Sequence, residues 1–405
     1  MPARSRLTRS RSAATALGDS HNFGRRVTAR GARIEKPRNV LWEWLLLAPD
    51  SPLRRLLDAA GRDAALGPQP FAFLPSLRFY KRGKRSGEVG RVQLAPLGRL
   101  TSTGRHELAG VVGRALALFG WLGLADLHWE NLVLGRDARG RIVFGPLDVE
   151  MILADFALPT ETKLLPDADP EYAEVCRHAC GVRRVLPFLG KPITGPDLLT
   201  LALAYRKTLD LLDRLAPAIS QVLTTLPGLR EAPIRVCLRG TEEYVLSAAE
   251  PPWPPLLDAE LEQLQRGDIP YFFRLYGSSG IHYYANRALT RTARLPLRGD
   301  VPRLEPLLSL PRRLRSASRQ RLREQGLLTV VAAFDHPSLT GRHAQGEHQL
   351  TLSARGIVLN LAGGEQLAAP RDLSAVVGSV YCDCRCGEVR SVLVPAVTRC
   401  SRPRN

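Results

Sequence analysis

The sequence predicts an α+β fold of two lobes, with a small β-rich extension at the C-terminal end. Three observations carry this expectation. A glycine-bounded polar loop, Gly18-Asp19-Ser20-His21-Asn22-Phe23-Gly24, precedes a β-favouring run that ends on Lys36-Pro37-Arg38. An amphipathic to apolar helical segment, residues 105–124, delivers the chain into Ala125-Asp126-Leu127-His128-Trp129-Glu130-Asn131. A hairpin pattern then separates that stretch from Asp148-Val149-Glu150. A covering loop and a Lys for phosphates, an Asp and an Asn five residues apart, and a later metal-binding Asp are the ordered parts of a kinase-like site. Asp, His and Asn in one loop also serve as caps and turn formers, so on this stretch alone that plainer reading stays open.

In chain order, residues 1–17 are basic, rich in Ser, Thr and Ala, and without periodicity, which predicts a disordered tail. Pro37 cannot donate to a sheet, so the strand before it ends at Lys36 or lies at an edge. From Trp42 to Ala60, Leu45, Leu46, Leu53, Leu56 and Leu57 recur at helical spacing, and Pro49 and Pro52 divide them into two short helices. Phe71 to Leu100 reads as strand, with turns at Arg82-Gly83-Lys84 and Ser86-Gly87. Residues 105–124 read as a long helix. Leu132–Leu134 and Arg141–Phe144 flank a Gly- and Asp-containing turn and form a hairpin that returns Asp148 beside Asp126. Residues 155–200, rich in Pro, Asp and Glu, sit where a substrate-gating segment or a plain surface loop fits. Leu198–Ile219 is an amphipathic helix with Leu201, Tyr205, Leu209, Leu212, Leu215 and Ile219 inward, and Arg206, Asp210, Asp213 and Arg214 away.

Pro233 to Tyr244 places Arg235 and Arg239 on a strand-like run beside Thr241. Paired guanidiniums with a hydroxyl suit phosphate, and a salt-bridged edge strand is the alternative. A helix ends at Gly267, ahead of Tyr271-Phe272-Phe273, and Leu310 to Ala333 is again helical. Beyond about residue 340, Leu350, Leu352, Ile357, Leu359 and Leu361 alternate as in strands. The domains expected are therefore 18–335, kinase-like, and 336–405, an extension of unassigned role.

The chain has 405 residues and a formal net charge of +18. Such a field attracts an acidic partner, but no nucleic-acid-binding signature accompanies it. No signal peptide and no apolar run of membrane-spanning length is visible, so a cytoplasmic protein with free thiols is expected. Of seven cysteines, Cys382, Cys384, Cys386 and Cys400 have a Cys-x-Cys-x-Cys spacing, and Cys176-x-His178-x-Cys180 forms a second group. Neither has the usual zinc-knuckle spacing.

Six ordered stretches together resemble the dehydratase domain of class II lanthipeptide synthetases: Gly18 to Val27, Lys36-Pro37-Arg38, Asp126 to Asn131, Asp148 to Glu150, the Arg235/Arg239/Thr241/Tyr244 motif, and Gly267 to Phe272. The likeness spans roughly residues 18–330. It implies a fold close to lipid kinases, with ATP and Mg²⁺ used to phosphorylate Ser and Thr of a precursor peptide before phosphate is eliminated. By that resemblance Lys36, with Arg38, would hold ATP phosphates. Asp126 would orient or deprotonate the hydroxyl, and Asn131 and Asp148 would bind Mg²⁺, supported by His128 and Glu150. Arg235 and Thr241 would serve elimination, with Asp19 and His21 in the same active site.

The partner implied is a Ser/Thr-rich precursor peptide with an acidic leader, without nucleic acid or membrane. Full family members carry more sequence before the Gly-Asp-x-His loop and a cyclase domain after the dehydratase. Cyclisation by this chain is therefore not expected, and a separate cyclase is. A phosphotransferase that does not eliminate and an inactive peptide-binding remnant are the alternatives.

Overall fold

The computed structural model describes residues 14–60, 69–154, 158–165, 180–247, 255–276, 278, 280–296, 318–336 and 338–370. Expectations for residues 1–13, for Cys176 and His178, and for Cys382, Cys384, Cys386 and Cys400 lie outside them. The described chain is mixed α+β with several antiparallel sheets. Among the described residues no helix is long and apolar enough to cross a membrane.

The first sheet has the order β1-β2-β3-β5-β4. It comprises β1 (Thr15–His21), β2 (Arg25–Arg30), β3 (Arg33–Lys36), β4 (Phe79–Arg82) and β5 (Gly87–Gly90). Regular structure thus begins at Thr15, ahead of the tail boundary expected at residue 17. β3 is central and stops at Lys36, where Pro37 removes the next donor. Helices α1 (Leu41–Leu47) and α2 (Pro52–Ala60) form as expected. The Phe71–Leu100 stretch is strand only at β4 and β5. Phe71, Phe73, Leu74 and Leu77 instead bury in irregular backbone against the core, so burial overrides their β preference.

Helix α3 (Ser102–Leu122) begins at Thr101, whose hydroxyl accepts from the Gly104 amide. Its small residues let the long helix α5 (Gly195–Thr225) approach, after the single-turn α4 (Leu186–Leu189). A Cβ on Gly113 would lie 2.2 Å from the Leu201 carbonyl and 3.0 Å from the Tyr205 amide. The hairpin of β6 (Leu132–Arg136) and β7 (Ile142–Pro146) forms as expected.

Of the α5 residues expected to point away from the apolar face, Arg214 is exposed but Arg206 and Asp210 are covered. Arg206 is buried and bonds both Glu365 carboxylate oxygens, at 2.8 and 3.1 Å. Asp210 meets Arg323 of α8 (Ser318–Phe334) at 2.9 Å. The partner of Arg206 lies in the turn before the last strand of a four-stranded sheet, β12 (Gly341–Gln345), β13 (His348–Ser353), β14 (Gly356–Asn360) and β15 (Gln366–Pro370). Leu350, Leu352, Ile357, Leu359 and Leu367 of this sheet join the same hydrophobic cluster as α3 and α5. The described part of the expected extension, residues 338–370, therefore shares the main core.

A further sheet, β11-β10-β9-β8, contains β8 (Pro233–Val236), β9 (Phe272–Leu275), β10 (His282–Tyr284) and β11 (Thr292–Arg294). The strand expected through Tyr244 ends at Val236, and α6 (Thr241–Leu246) follows. Helix α7 (Asp258–Gln265) leads to Gly267, whose φ of +76° turns the chain towards β9.

Because Gly113 faces backbone of α5 rather than a flexible side chain, Gly113→Ala should destabilise the fold by about 3 kcal/mol. A denaturant midpoint lowered at constant slope would register this.

Candidate functional site

The site begins where α3 ends. Gly123 adopts φ +61°, and a Cβ there would lie 2.1 Å from the Ala154 carbonyl, so the loop runs against the strand-like segment that follows Asp148. Ala125 N donates to Met151 O at 3.0 Å, and Leu147 N donates to Asn131 O at 3.0 Å. These two bonds set residues 126–131 opposite residues 148–150. Asp126 itself is left-handed, at φ +61°. Its carbonyl and carboxylate accept from the Asn131 amide nitrogen at 2.9 and 3.2 Å. The turn-forming reading of this loop is thus real, and it leaves Asn131 Oδ1 as the atom that would ligate a cation. His128 Nε2 stands 4.0 Å from Asp126 Oδ1.

An ion cluster lies behind the loop. Lys36 Nζ donates to Glu43 Oε1 at 2.9 Å and to Leu147 O at 3.0 Å, and sits 3.7 Å from Asp148 Oδ2. Arg38 pairs with Glu43, reaches Asp148 Oδ1 at 2.5 Å and approaches Glu150 Oε2 at 3.1 Å. Arg235, on β8, donates to Glu150 Oε1 at 2.6 Å, and its backbone N–H donates to Glu150 O at 2.8 Å. Burial works against the Arg38 cation, but Asp148, Glu43 and Glu150 outweigh it and raise its pKa well above the ordinary value. Burial likewise opposes ionisation of Asp148, yet Arg38 and Lys36 hold it well below the usual carboxylate range. Glu43, fully buried on α1, is pushed up by burial against the pull of the same two cations.

The glycine loop is fastened from above. Asp268 is buried and accepts from Ser20 Oγ at 2.7 Å, Phe23 N at 2.7 Å and Gly24 N at 2.9 Å. Ile269 N donates to Ser20 O at 2.8 Å. His21 Nδ1 lies 2.7 Å from the Ile269 carbonyl. That oxygen only accepts, so Nδ1 carries the proton and Nε2 is left with its lone pair. Burial, then Arg235, lowers the His21 pKa. The His21 ring packs on Tyr271 at 5.8 Å, and Arg235 lies 5.5 Å from the same ring. Asp19 is exposed on β1 and acts on His21 through its charge.

Lys36, Arg38, Asp148, Glu150 and Arg235 thus form one network, with Asp126, His128 and Asn131 in front and His21 beside it. The strand expected through Arg235 and Arg239 ends at Val236. Arg239 is not Arg235's neighbour on a strand. It is buried 3.0 Å from Glu260, which also accepts from Tyr244 at 2.8 Å, and this network is structural. Thr241 is exposed at the start of α6 and takes no part in the site's hydrogen bonds. The strand ends too early to carry either residue alongside Arg235.

Glu43, Tyr271, Cys237 and Lys163 were missed as site residues. Glu43 had a signal, as the lone charge interrupting the apolar run Leu41 to Ala48. Tyr271 was visible only as an aromatic anchor. Cys237, on the chain just past β8, lies within reach of the charges of Arg235, Asp126 and Lys163.

Among the described residues no group of three or more His, Cys, Asp or Glu is placed to hold a metal ion. A Mg²⁺ site does not require one, because one or two carboxylates plus phosphate oxygens suffice. Asp148, ionised and partly exposed, has the right donor type, and Asn131 Oδ1 would be the second donor. Residues of this site would hold Mg²⁺ only in the company of a phosphate.

Asp268→Ala should cost about 2–3 kcal/mol by stranding loop donors once held by a charged acceptor. Amide exchange at Phe23 and Gly24 should accelerate ahead of the core. The His21 pKa is lowered on folding, so below the ordinary value of about 6.5 the unfolded chain binds this proton first. Stability then falls as pH falls. The wild type should lose more stability than His21→Gln between about pH 7 and pH 5.5, as read by melting temperature. No protein-family model matches the chain, and no characterised protein matches it significantly.

Proposed function

We propose that this chain is a kinase-like, ATP-dependent enzyme that phosphorylates Ser and Thr of a peptide and then eliminates the phosphate to leave a dehydrated residue. The observation that carries the first half is the Lys36–Glu43–Asp148 clamp, 2.9 and 3.7 Å from Nζ. A strand Lys paired with a helix Glu, beside an Asp that follows the Asp–Asn loop, is the set of parts that kinases use to hold ATP phosphates and metal. When bound, MgATP would supply the phosphoryl group and neutralise charge developing on it. Asp126, at the mouth, would orient the acceptor hydroxyl and take its proton as the new P–O bond forms and the bond to ADP breaks.

For elimination, a Cα proton leaves to a base, the Cβ–O bond breaks, a C=C bond forms, and phosphate departs. His21 presents the unprotonated Nε2 such a base needs, and Arg235 is the nearby cation for the departing phosphate. The resemblance to lanthipeptide dehydratases supports the pairing of these steps. The +18 charge suits an acidic leader on the peptide. A second reading, phosphorylation without elimination, is favoured by Arg239 and Thr241, which stand apart from Arg235.

The test is mass spectrometry of a Ser/Thr-rich precursor peptide incubated with the protein, ATP and Mg²⁺. Loss of water at Ser or Thr is expected, and Arg235→Ala should instead accumulate phosphopeptide. Stable phosphopeptide from the wild type would reduce the activity to phosphorylation. No change in a verified partner peptide would refute both readings.

A further inference from the structure

Two non-glycine residues of the site stand opposite each other in the left-handed region. Asp126 has φ +61° and Lys163 has φ +62°. Such conformations cost free energy in an L-residue and persist only where the surroundings enforce them. The enforcement is visible around Lys163. Leu127 N donates to Thr162 O at 3.0 Å, Lys163 N to Thr160 O at 3.0 Å, and Gly181 N to Lys163 O at 3.1 Å. Thr162 is buried, and its hydroxyl accepts from Leu164 N at 3.1 Å. The backbone on both sides of residue 163 is therefore pinned between the Asp126 loop and the Gly181 turn.

The consequence is a side chain carried to the mouth of the site, with Lys163 Nζ 3.6 Å from Asp126 Oδ1. The other cations of the site are sunk behind carboxylates. Side-chain exposure is 7% for Lys36, 11% for Arg38 and 14% for Arg235, against 49% for Lys163. Of these four cations Lys163 is the most exposed to an incoming anion. Its ammonium is a point charge on a flexible stem, suited to phosphate without a fixed approach angle.

We propose that Lys163 is a second phosphate-binding cation, which holds the phosphoryl group on the acceptor side of Asp126 while Lys36 serves the nucleotide. This rests on the phosphotransferase reading above. It assigns the two lysines to opposite sides of the transfer.

The experiment compares wild type, Lys163→Gly and Lys163→Arg. Glycine removes the amine and relieves the left-handed backbone, so Lys163→Gly should melt no lower than wild type. A loss of binding then cannot be ascribed to unfolding. Calorimetry with inorganic phosphate, MgADP being present, should show phosphate affinity reduced about tenfold or more in Lys163→Gly and recovered in Lys163→Arg. MgATP affinity should change by less than about twofold, since Lys36 and Arg38 are intact. Equal phosphate binding by all three proteins, or none by the wild type, would overturn the inference. So would an equal loss of MgATP and phosphate. A wild type that binds phosphate through Lys163 but takes no MgATP would remove the parent reading and leave the phosphate site standing.

Discussion

Three cations and three carboxylates closed into one partly buried network are the constraint on which the rest of the site depends. Lys36 and Arg38 enter from the end of β3, Glu43 from α1, Asp148 and Glu150 from the segment after β7, and Arg235 from β8. A buried charge without its partners is strongly destabilising, so each member fixes the position of an element it does not belong to. The network joins the end of β3 and α1 to the segment after β7 and to β8, whose Trp42, Val149, Ile152 and Ile234 also share one apolar cluster. Buried pairs contribute little net stability compared with apolar packing. Their presence here therefore signals a positional requirement rather than a cohesive one.

The loops in front are rigid for different reasons. Asp268 satisfies three donors of the glycine loop at once, and Ile269 holds the His21 ring in one tautomer. The Asp126 loop is tied on one side to residues 147–151 and on the other to residues 162–163. Left-handed φ at Asp126 and Lys163 is the local cost of pointing a carboxylate and an ammonium at the same space. The apolar body formed by α3, α5, α8 and the β12–β15 sheet supplies the stiffness behind these loops.

Much of this was legible in the sequence, and the failures have physical reasons. α1, α2, α3, the β6–β7 hairpin and the stop at Lys36 follow from periodicity and proline chemistry, which act locally. So does the return of residues 147–151 against the Asp126 loop, because a hairpin brings the chain back to its start. Glu43 was marked only as a lone charge in an apolar run, because its partners, Lys36, Arg38 and Asp148, come from other elements. Lys163 was hidden because nothing in a sequence marks a left-handed Lys. Arg206 was read only as lying away from the apolar face, because its partner, Glu365, lies far along the chain. Arg239 was misread because alternation on a strand assumes that the strand continues, and β8 stops at Val236.

On the proposed function, the Lys36 and Arg38 cluster would be a cradle for nucleotide phosphates that recruits Mg²⁺ through Asp148. The most direct measurement of this is calorimetric titration with ATP in the presence and absence of Mg²⁺, on the wild type and on Asp148→Asn. One ATP site is predicted, weakened about tenfold or more when Mg²⁺ is withheld, with that dependence lost in Asp148→Asn. No binding at millimolar ATP, or binding indifferent to Mg²⁺ in the wild type, would contradict it.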